Sequence, residues 1–419
     1  MTASDDPALS RDRAILYAGT FLRAVATGQI GVLMGVYLAD LGFDAARIGF
    51  VVAAGLAGGA AAALLVTLFG DRFGRKRSLL IVSGLTCIGG AWFALTSDPW
   101  AAGAAAFLGM VNGMGRDRGA SLILDQAILP ATVQHAGRTR VFAIYNVLQD
   151  AGGAIGGLLA GLPVLLRHVT AGAAPQGEGA DLSMRLTLGL YVGLAALAGA
   201  LYLGLSRAVE MPGARTGTRP PRVSPATRRV LWRVGSLFAL DSLAGGFLTT
   251  AILSFFFYER FGVSEGAIGP LFFAARVANA FSHLAATRLA RRFGLVNTMV
   301  FTHIPSSLLL ITVAWAPSFA VAAALFILRE GLVEMDVPTR QSWVMAVVRP
   351  EERMVASGVT NLVRVGAWSV APSFAGWFMA DWSLTVPLVI GSVMKIVYDV
   401  LLYFACRHTR PPEETGIAA

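Results

Sequence analysis

The chain has 419 residues, of which 55% are hydrophobic and only 14% charged, and it carries a net charge of +9. Soluble domains usually hold about 25% charged residues, so this composition excludes a protein with a mainly water-facing surface. The basic residues lie in short segments between long apolar runs, which excludes a nucleic-acid partner, and the two cysteines, Cys87 and Cys406, exclude a disulfide framework.

Residues 1–13 lack the basic start and short apolar core of a cleaved leader, so they read as a cytoplasmic tail. A helix needs about 20 mostly apolar residues to cross a bilayer. Twelve segments meet this, near residues 14–39, 46–70, 78–96, 100–128, 139–166 and 184–205, then 230–257, 266–287, 296–316, 318–346, 354–379 and 383–406. We number them spans 1 to 12. The expectation is an all-α membrane protein whose twelve transmembrane helices form two pseudo-symmetric six-helix bundles, residues 14–206 and 230–406. A basic, Pro-rich cytoplasmic linker at 207–229 joins them, and 407–419 forms a cytoplasmic tail. With the N-terminus inside, the inner segments hold 22 lysines and arginines and the outer loops only Arg47, Arg167, Arg185 and Arg260. Positive residues stay on the cytoplasmic side, so both termini are expected inside, in a cell inner membrane or plasma membrane. The linker is expected to rest on anionic membrane lipids.

Ionisable side chains inside a bilayer cost about 2.5–3.5 kcal/mol each on insertion scales and mark functional positions. Span 1 carries Arg23. Span 4 carries Arg116, Asp117, Arg118 and Asp125. Read as one helix, it places Arg118 and Asp125 on one face, as a knot that fixes the helix or as part of a transport pathway. Span 5 carries Asp150, span 7 Asp241 and span 8 Arg276. Span 10 holds Arg329, Glu330, Glu334, Asp336 and Arg340 around Pro338, which is expected to bend it. Two carboxylates one turn apart cannot both ionise cheaply unless Arg329 or Arg340 neutralises them. Span 11 carries Arg364. On span 12, Lys395 and Asp399 are spaced i,i+4 and are expected to neutralise each other. The five histidines, His135, His168, His283, His303 and His408, show no metal-like spacing, and no phosphate-binding loop is present. No enzyme activity, metal or cofactor is expected.

The two halves repeat at an offset of about 220 residues. LGFDAARIG, ending at Gly49, matches FGVSEGAIG, ending at Gly269; DRFGRKR, from Asp71, matches RRFGLVN, from Arg291. With this repeat and the run Asp71-Arg72-Phe73-Gly74-Arg75-Lys76-Arg77 between spans 2 and 3, the chain resembles the major facilitator superfamily over nearly its whole length. The run is similar to the family's signature G-x-x-x-D-R-x-G-R-[RK], with Thr67 in place of the first glycine.

The resemblance implies that Asp71, Arg72, Gly74 and Arg75 form a cytoplasmic gate. Asp71 would meet the start of span 11 near Ser357 and Gly358, where a helix N-terminus favours a carboxylate, and Arg75 would hold Asp71 in place. It also implies that spans 1, 4, 7 and 10 line a central cavity flanked by 2, 5, 8 and 11. Arg23, Asp117, Arg118, Asp150, Asp241, Arg276, Glu330, Glu334, Arg340 and Arg364 then line a substrate or proton pathway. Arg23 with Asp241, and Asp150 with Arg276, are expected to pair between halves. Gly152-Gly153-Ala154-Ile155-Gly156-Gly157 is similar to an element of the family's drug–proton antiporters, or is simple close packing. The expected function is secondary transport of a small organic solute by alternating access, coupled to protons, with export by antiport ahead of uptake by symport. An anion or zwitterion would be held by Arg23, Arg118 or Arg276. A non-transporting receptor on the same fold is the further alternative, and a monomer is expected.

Overall fold

The computed structural model describes residues 7–133, 138–170, 178–210, 224–335 and 353–406. Hydrocarbon offers the backbone no hydrogen-bond partner, so a chain this apolar must satisfy its amides within helices. Among the described residues the long elements are all helical. They are α1 (Pro7–Asp40), α2 (Ala45–Phe73), α3 (Arg75–Leu95), α4 (Pro99–Gly109), α5 (Ala120–Ile128), α6 (Arg138–Leu159), α7 (Leu162–Thr170) and α8 (Glu178–Leu203). After the linker come α9 (Pro225–Phe247), α10 (Thr250–Phe261), α11 (Glu265–Phe293), α12 (Leu295–Ala314), α13 (Phe319–Val333), α14 (Arg353–Asp381) and α15 (Val386–Cys406). Every one of the twelve predicted spans coincides with at least one described helix.

Eight described stretches are long and apolar enough to cross a membrane. The remaining spans fall short for visible reasons. Span 4 is broken in two, span 10 is described only to Met335, and spans 8 and 11 are diluted by polar and small residues beside Arg276 and Arg364.

The break in span 4 corrects the expectation of one continuous helix. α4 stops at Gly109, Met110 turns left-handed at φ 52°, Gly115 has φ 68°, and helix resumes only at Ala120. The sequence Asn-Gly-Met-Gly favours this, because two glycines weaken a helix and Asn112 offers the backbone a local alternative. The Asn112 side chain donates to Arg116 O at 2.6 Å and accepts from Met114 N at 2.8 Å. Arg118 and Asp125 therefore do not share a helical face. Span 7 is also broken: α9 ends at Phe247 and Thr249 caps α10 by accepting from Ile252 N at 3.3 Å. The two breaks meet. Ala251 N donates to Gly113 O at 2.9 Å and Thr250 Oγ1 to Met114 O at 2.8 Å. Carbonyls freed by one broken helix thus satisfy donors that no helix serves. Pro338 and Arg340, with the expected bend of span 10, lie outside the described residues.

The chain divides into two compact units, Met1–Thr216 with Thr249–Phe273, and Gly217–Leu248 with Ala274–Ala419. In the first, α1 packs against α6, α8 and α10, α2 against α4 and α5, and α3 against α4 and α8. Small residues allow the close approach of α1. A Cβ at Gly28 would collide with Gly153 O on α6, and one at Gly35 with Ala251 O on α10. The glycine run of α6 thus serves close packing, with Gly152 and Gly156 also against α1. In the second unit, α9 packs against α14 and α15, and α12 against α13 and α15. Exposed Leu64, Leu65 and Leu68 on α2 suit a surface in lipid.

The repeat is visible in the backbone. Gly74, between α2 and α3, has φ 93°, and Gly294, between α11 and α12, has φ 85°. Both matched copies turn on a residue whose missing Cβ permits that conformation.

Candidate functional site

Three polar assemblies stand out. The first surrounds Arg23 on α1. Its Nε donates to Asp117 Oδ2 at 2.9 Å and its Nη2 to Asp125 Oδ2 at 2.5 Å. Tyr145 on α6 donates to the same Asp125 oxygen at 3.0 Å, and Gln149 donates to the Tyr145 hydroxyl at 3.4 Å. The guanidinium also lies 5.7 Å from the centre of the Tyr202 ring on α8. Asp117 reaches Arg23 because it sits on the unwound stretch, while Asp125, in α5, is fully buried. Arg23 Nη1 and Asp125 Oδ1 are buried without a protein hydrogen-bond partner. A charge network of this kind is held by mutual neutralisation, since each ion alone would be expensive. Arg116 and Arg118 are half-buried beside it, each with interactions of its own.

The second assembly lies in the other unit. Lys395 on α15 donates to Asp241 Oδ1 on α9 at 3.0 Å, and its Nζ lies 3.4 Å from His303 Nε2 on α12. His303 Nδ1 faces both oxygens of Asp399, at 2.9 and 3.0 Å. Next to Asp241, Ser242 accepts from Arg364 Nε at 3.3 Å, and that guanidinium lies 4.8 Å from the Trp368 ring centre. Lys395 and Asp399 therefore do not simply neutralise each other, because Lys395 reaches across to α9 and His303 stands against Asp399. Glu330 on α13 pairs with the adjacent Arg329 and accepts from Asn279 Nδ2 on α11 at 2.9 Å. Of the two alternatives for span 10, neutralisation by Arg329 is what forms at Glu330. Glu334 is half-buried at the end of α13.

Arg23 is taken by Asp117 and Asp125, and Asp241 by Lys395. Asp150 is exposed on α6. Arg276 is half-buried and engaged.

The third assembly is the loop at Gly74. Arg75 Nε donates to Asp71 Oδ1 at 2.9 Å, as the sequence led us to expect, and Nη1 donates to Ala127 O at 3.0 Å. Glu210 accepts from the first amides of α3, Arg75 N at 2.7 Å and Lys76 N at 3.2 Å. A carboxylate belongs at that positive helix end. Lys76 Nζ donates to Leu203 O and Leu205 O at 2.8 and 2.7 Å, closing the end of α8. Arg72 is exposed. The surroundings of Ser357 and Gly358, where Asp71 was expected to latch, lie outside what is described.

Glu210, Tyr145 and His303 were not singled out by the sequence. His303 had a usable signal: an ionisable residue within an apolar span needs a partner, and span 12 offered two.

Comparison with known proteins places this architecture. The model for the Major Facilitator Superfamily matches residues 16–372. The chain belongs to the major facilitator superfamily. It is a multi-pass membrane transporter and not an enzyme, and superfamily members bind small-molecule substrates and act as single chains. Among curated proteins it is 25% identical to the uncharacterized membrane protein YJR124C of Saccharomyces cerevisiae, over 94% of this chain and 93% of that one. Solved superfamily structures share the fold at low identity. The D323A mutant of the nucleoside transporter NupG aligns with a TM-score of 0.74 at 15% identity, covering 94% of this chain and 99% of NupG. A bacterial homologue of the human lysosomal transporter Spinster also reaches 0.74, at 14% identity over 96% and 98% of the two chains. A D-xylose–proton symporter gives 0.68 at 15% identity over 98% and 99%.

Proposed function

We propose that this transporter moves a small organic solute by alternating access and couples that movement to protons, with both termini cytoplasmic in an inner or plasma membrane. The observation that carries the reading is the meeting of two broken helices, the unwound residues 110–119 and the start of α10. Interrupted helices are tolerated at membrane depth where they line a cavity, and transporters use their freed backbone groups and helix ends to hold solute and ions. Asp117, Arg118 and Arg276 belong to the solute pathway, with Glu330, Glu334, Arg340 and Arg364 along its second half. Arg23, already matched by two carboxylates, serves the network more than an anionic solute. Arg118 and Arg276 are the better candidates for holding an anion or zwitterion.

Asp150 and Asp241 are the carboxylates we assign to the proton cycle, one exposed and one paired with Lys395. A mid-span carboxylate exposed to lipid would be costly, so an exposed Asp150 suits a water-filled pathway. Asp71, Arg72, Gly74 and Arg75 form the cytoplasmic gate of this proposal, with Glu210 as its fixed support. The membrane holds the protein as a monomer, with the 207–229 linker against anionic lipid. Export by antiport is the first reading of direction and uptake by symport the second.

The test starts with a thermal-shift screen of purified protein against diverse solutes, since a ligand that binds only the folded form raises apparent stability. With a hit in hand, proton flux is followed in proteoliposomes for Asp150→Asn and Asp241→Asn. We expect solute-dependent flux to be lost in at least one variant. Coupling that survives unchanged in both would remove these residues from the proton cycle, and binding without flux in the wild type would favour a receptor. An everted-vesicle assay separates export from uptake.

A further inference from the structure

Among the described residues, the assembly in the second unit brings four titratable or charged side chains from three helices into one line. The steps are Asp399 to His303 at 2.9 Å, His303 to Lys395 at 3.4 Å, and Lys395 to Asp241 at 3.0 Å. All four residues are buried, with His303 and Asp399 only 1% exposed. Burial of this kind is not how apolar spans are usually filled, and each member is affordable only through its neighbours. The surrounding helix faces are polar as well. Thr298, Thr302, Ser306 and Ser307 of α12 are buried, and so is Ser392 of α15. The hydroxyls of Ser307, one turn beyond His303, and Ser392, just before Lys395, are buried without a protein hydrogen-bond partner. Buried hydroxyls ordinarily have one, so this interface has unmet capacity to hold a proton carrier such as water.

We propose that His303, Asp399, Lys395 and Asp241 form a proton-binding site in the interface of α9, α12 and α15, with His303 Nε2 as the atom that takes up and releases the proton. Nδ1 faces both oxygens of Asp399, which fixes the proton of the neutral ring on Nδ1. Nε2 then presents its lone pair to the Lys395 ammonium, and Lys395 bridges α12 and α9. A proton arriving from water forms one new N–H bond at Nε2 and leaves an imidazolium beside an ammonium. Like charges at that distance repel, so Lys395 gives up His303 and is left to Asp241. Release reverses each step. Proton occupancy thereby decides whether α9, the first half of the broken span 7, is tied to α12 through Lys395.

Among the described residues, three elements present further polar or charged groups near this site. Tyr398 on α15 sets its ring edge-on to His303, centroids 6.3 Å apart. Arg364 on α14 is bonded to Ser242, beside Asp241. On α13, which packs against α12, the charged Arg329 and Glu330 are paired with each other. Among the described residues, Asp399 and Asp241 stand with Lys395 and Arg364 around His303, so a proton added there changes the charge of the site.

The proposal rests on the proton-coupled reading for its consequence only, and its test uses neither solute nor flux. The full chain is labelled with 15N-histidine in lipid nanodiscs, and His303 is assigned by the resonance that His303→Gln removes. We expect the His303 resonance to switch between two protonation states as the pH is stepped across the range in which the protein stays folded. Asp399→Asn should move its midpoint to lower pH and Lys395→Met to higher pH, each by about one unit or more, because one loses an attracting and the other a repelling charge. A His303 resonance locked in one state across that range overturns the proposal, as do midpoints unmoved in both variants. If Asp399→Asn does not fold, the wild-type titration and Lys395→Met decide. A proton site that titrates while Asp241→Asn leaves transport coupling intact would sink the proton-cycle role of Asp241 and leave the site standing.

Discussion

Arg23 shows how one buried cation can organise a bundle. It draws Asp117 from an unwound stretch, Asp125 from α5 and, through Asp125, the hydroxyl of Tyr145 on α6. Removing one partner of a buried pair costs about 3–5 kcal/mol, because the remaining charge stays behind without compensation. Arg23→Leu should therefore destabilise the purified protein by that order in chemical or thermal unfolding. Arg23→Leu combined with Asp125→Leu should recover part of the loss, having removed one stranded carboxylate. A double variant less stable than the single one would contradict this account. These residues were visible in the sequence as intramembrane charges, and their choice of partners was not. Arg23 and Asp241 were expected to pair, but position along a helix does not say which way a side chain points. The unwinding that lets Asp117 swing toward α1 depends on Gly113 and Gly115, and an apolar window averages across them. Likewise His303 carries no local pattern, because each of its partners comes from a distant helix.

Among the elements, the α2–α3 turn was the most legible. Its charged residues and glycine are contiguous, and its weaker copy repeats the left-handed glycine at Gly294. The breaks in spans 4 and 7 were hidden, since a broken helix is as apolar as an intact one. Their junction gives a prediction at this scale. Thr250→Val keeps the branched shape and removes only the hydroxyl that reaches Met114 O. We expect a loss of about 0.5–1.5 kcal/mol, the net worth of one part-buried hydrogen bond. Unfolding midpoints that match the wild type would show that this bond does not fasten the junction. The close approach of α1 is more demanding. Its Gly35 passes so near Ala251 O that Gly35→Val should prevent α1 and α10 from packing as they do, and a well-folded Gly35→Val protein would refute that geometry.

For the whole molecule, the fold was legible because lipid leaves few choices: long apolar helices, short loops and a repeated half. Orientation rests on the skewed distribution of lysine and arginine, which predicts the side that each loop occupies. In a variant with both cysteines replaced by serine, a new cysteine at Ser4 should react with a membrane-impermeant thiol reagent only in everted vesicles. One at Arg260 should react only in intact cells. The opposite pattern would invert the topology and move the Gly74 loop to the other face.

The hydrogen bond from Ala251 to Gly113 also provides a natural clock. Most amides in these helices are shielded by a carbonyl four residues earlier, so their exchange with deuterium reports local fraying. The Ala251 amide is shielded by a carbonyl from a different helix. Its deuterium uptake therefore counts how often the two broken helices part, whether or not either one unwinds. Measured in lipid with and without a bound solute, that single rate would time the opening of the junction, whatever the cargo.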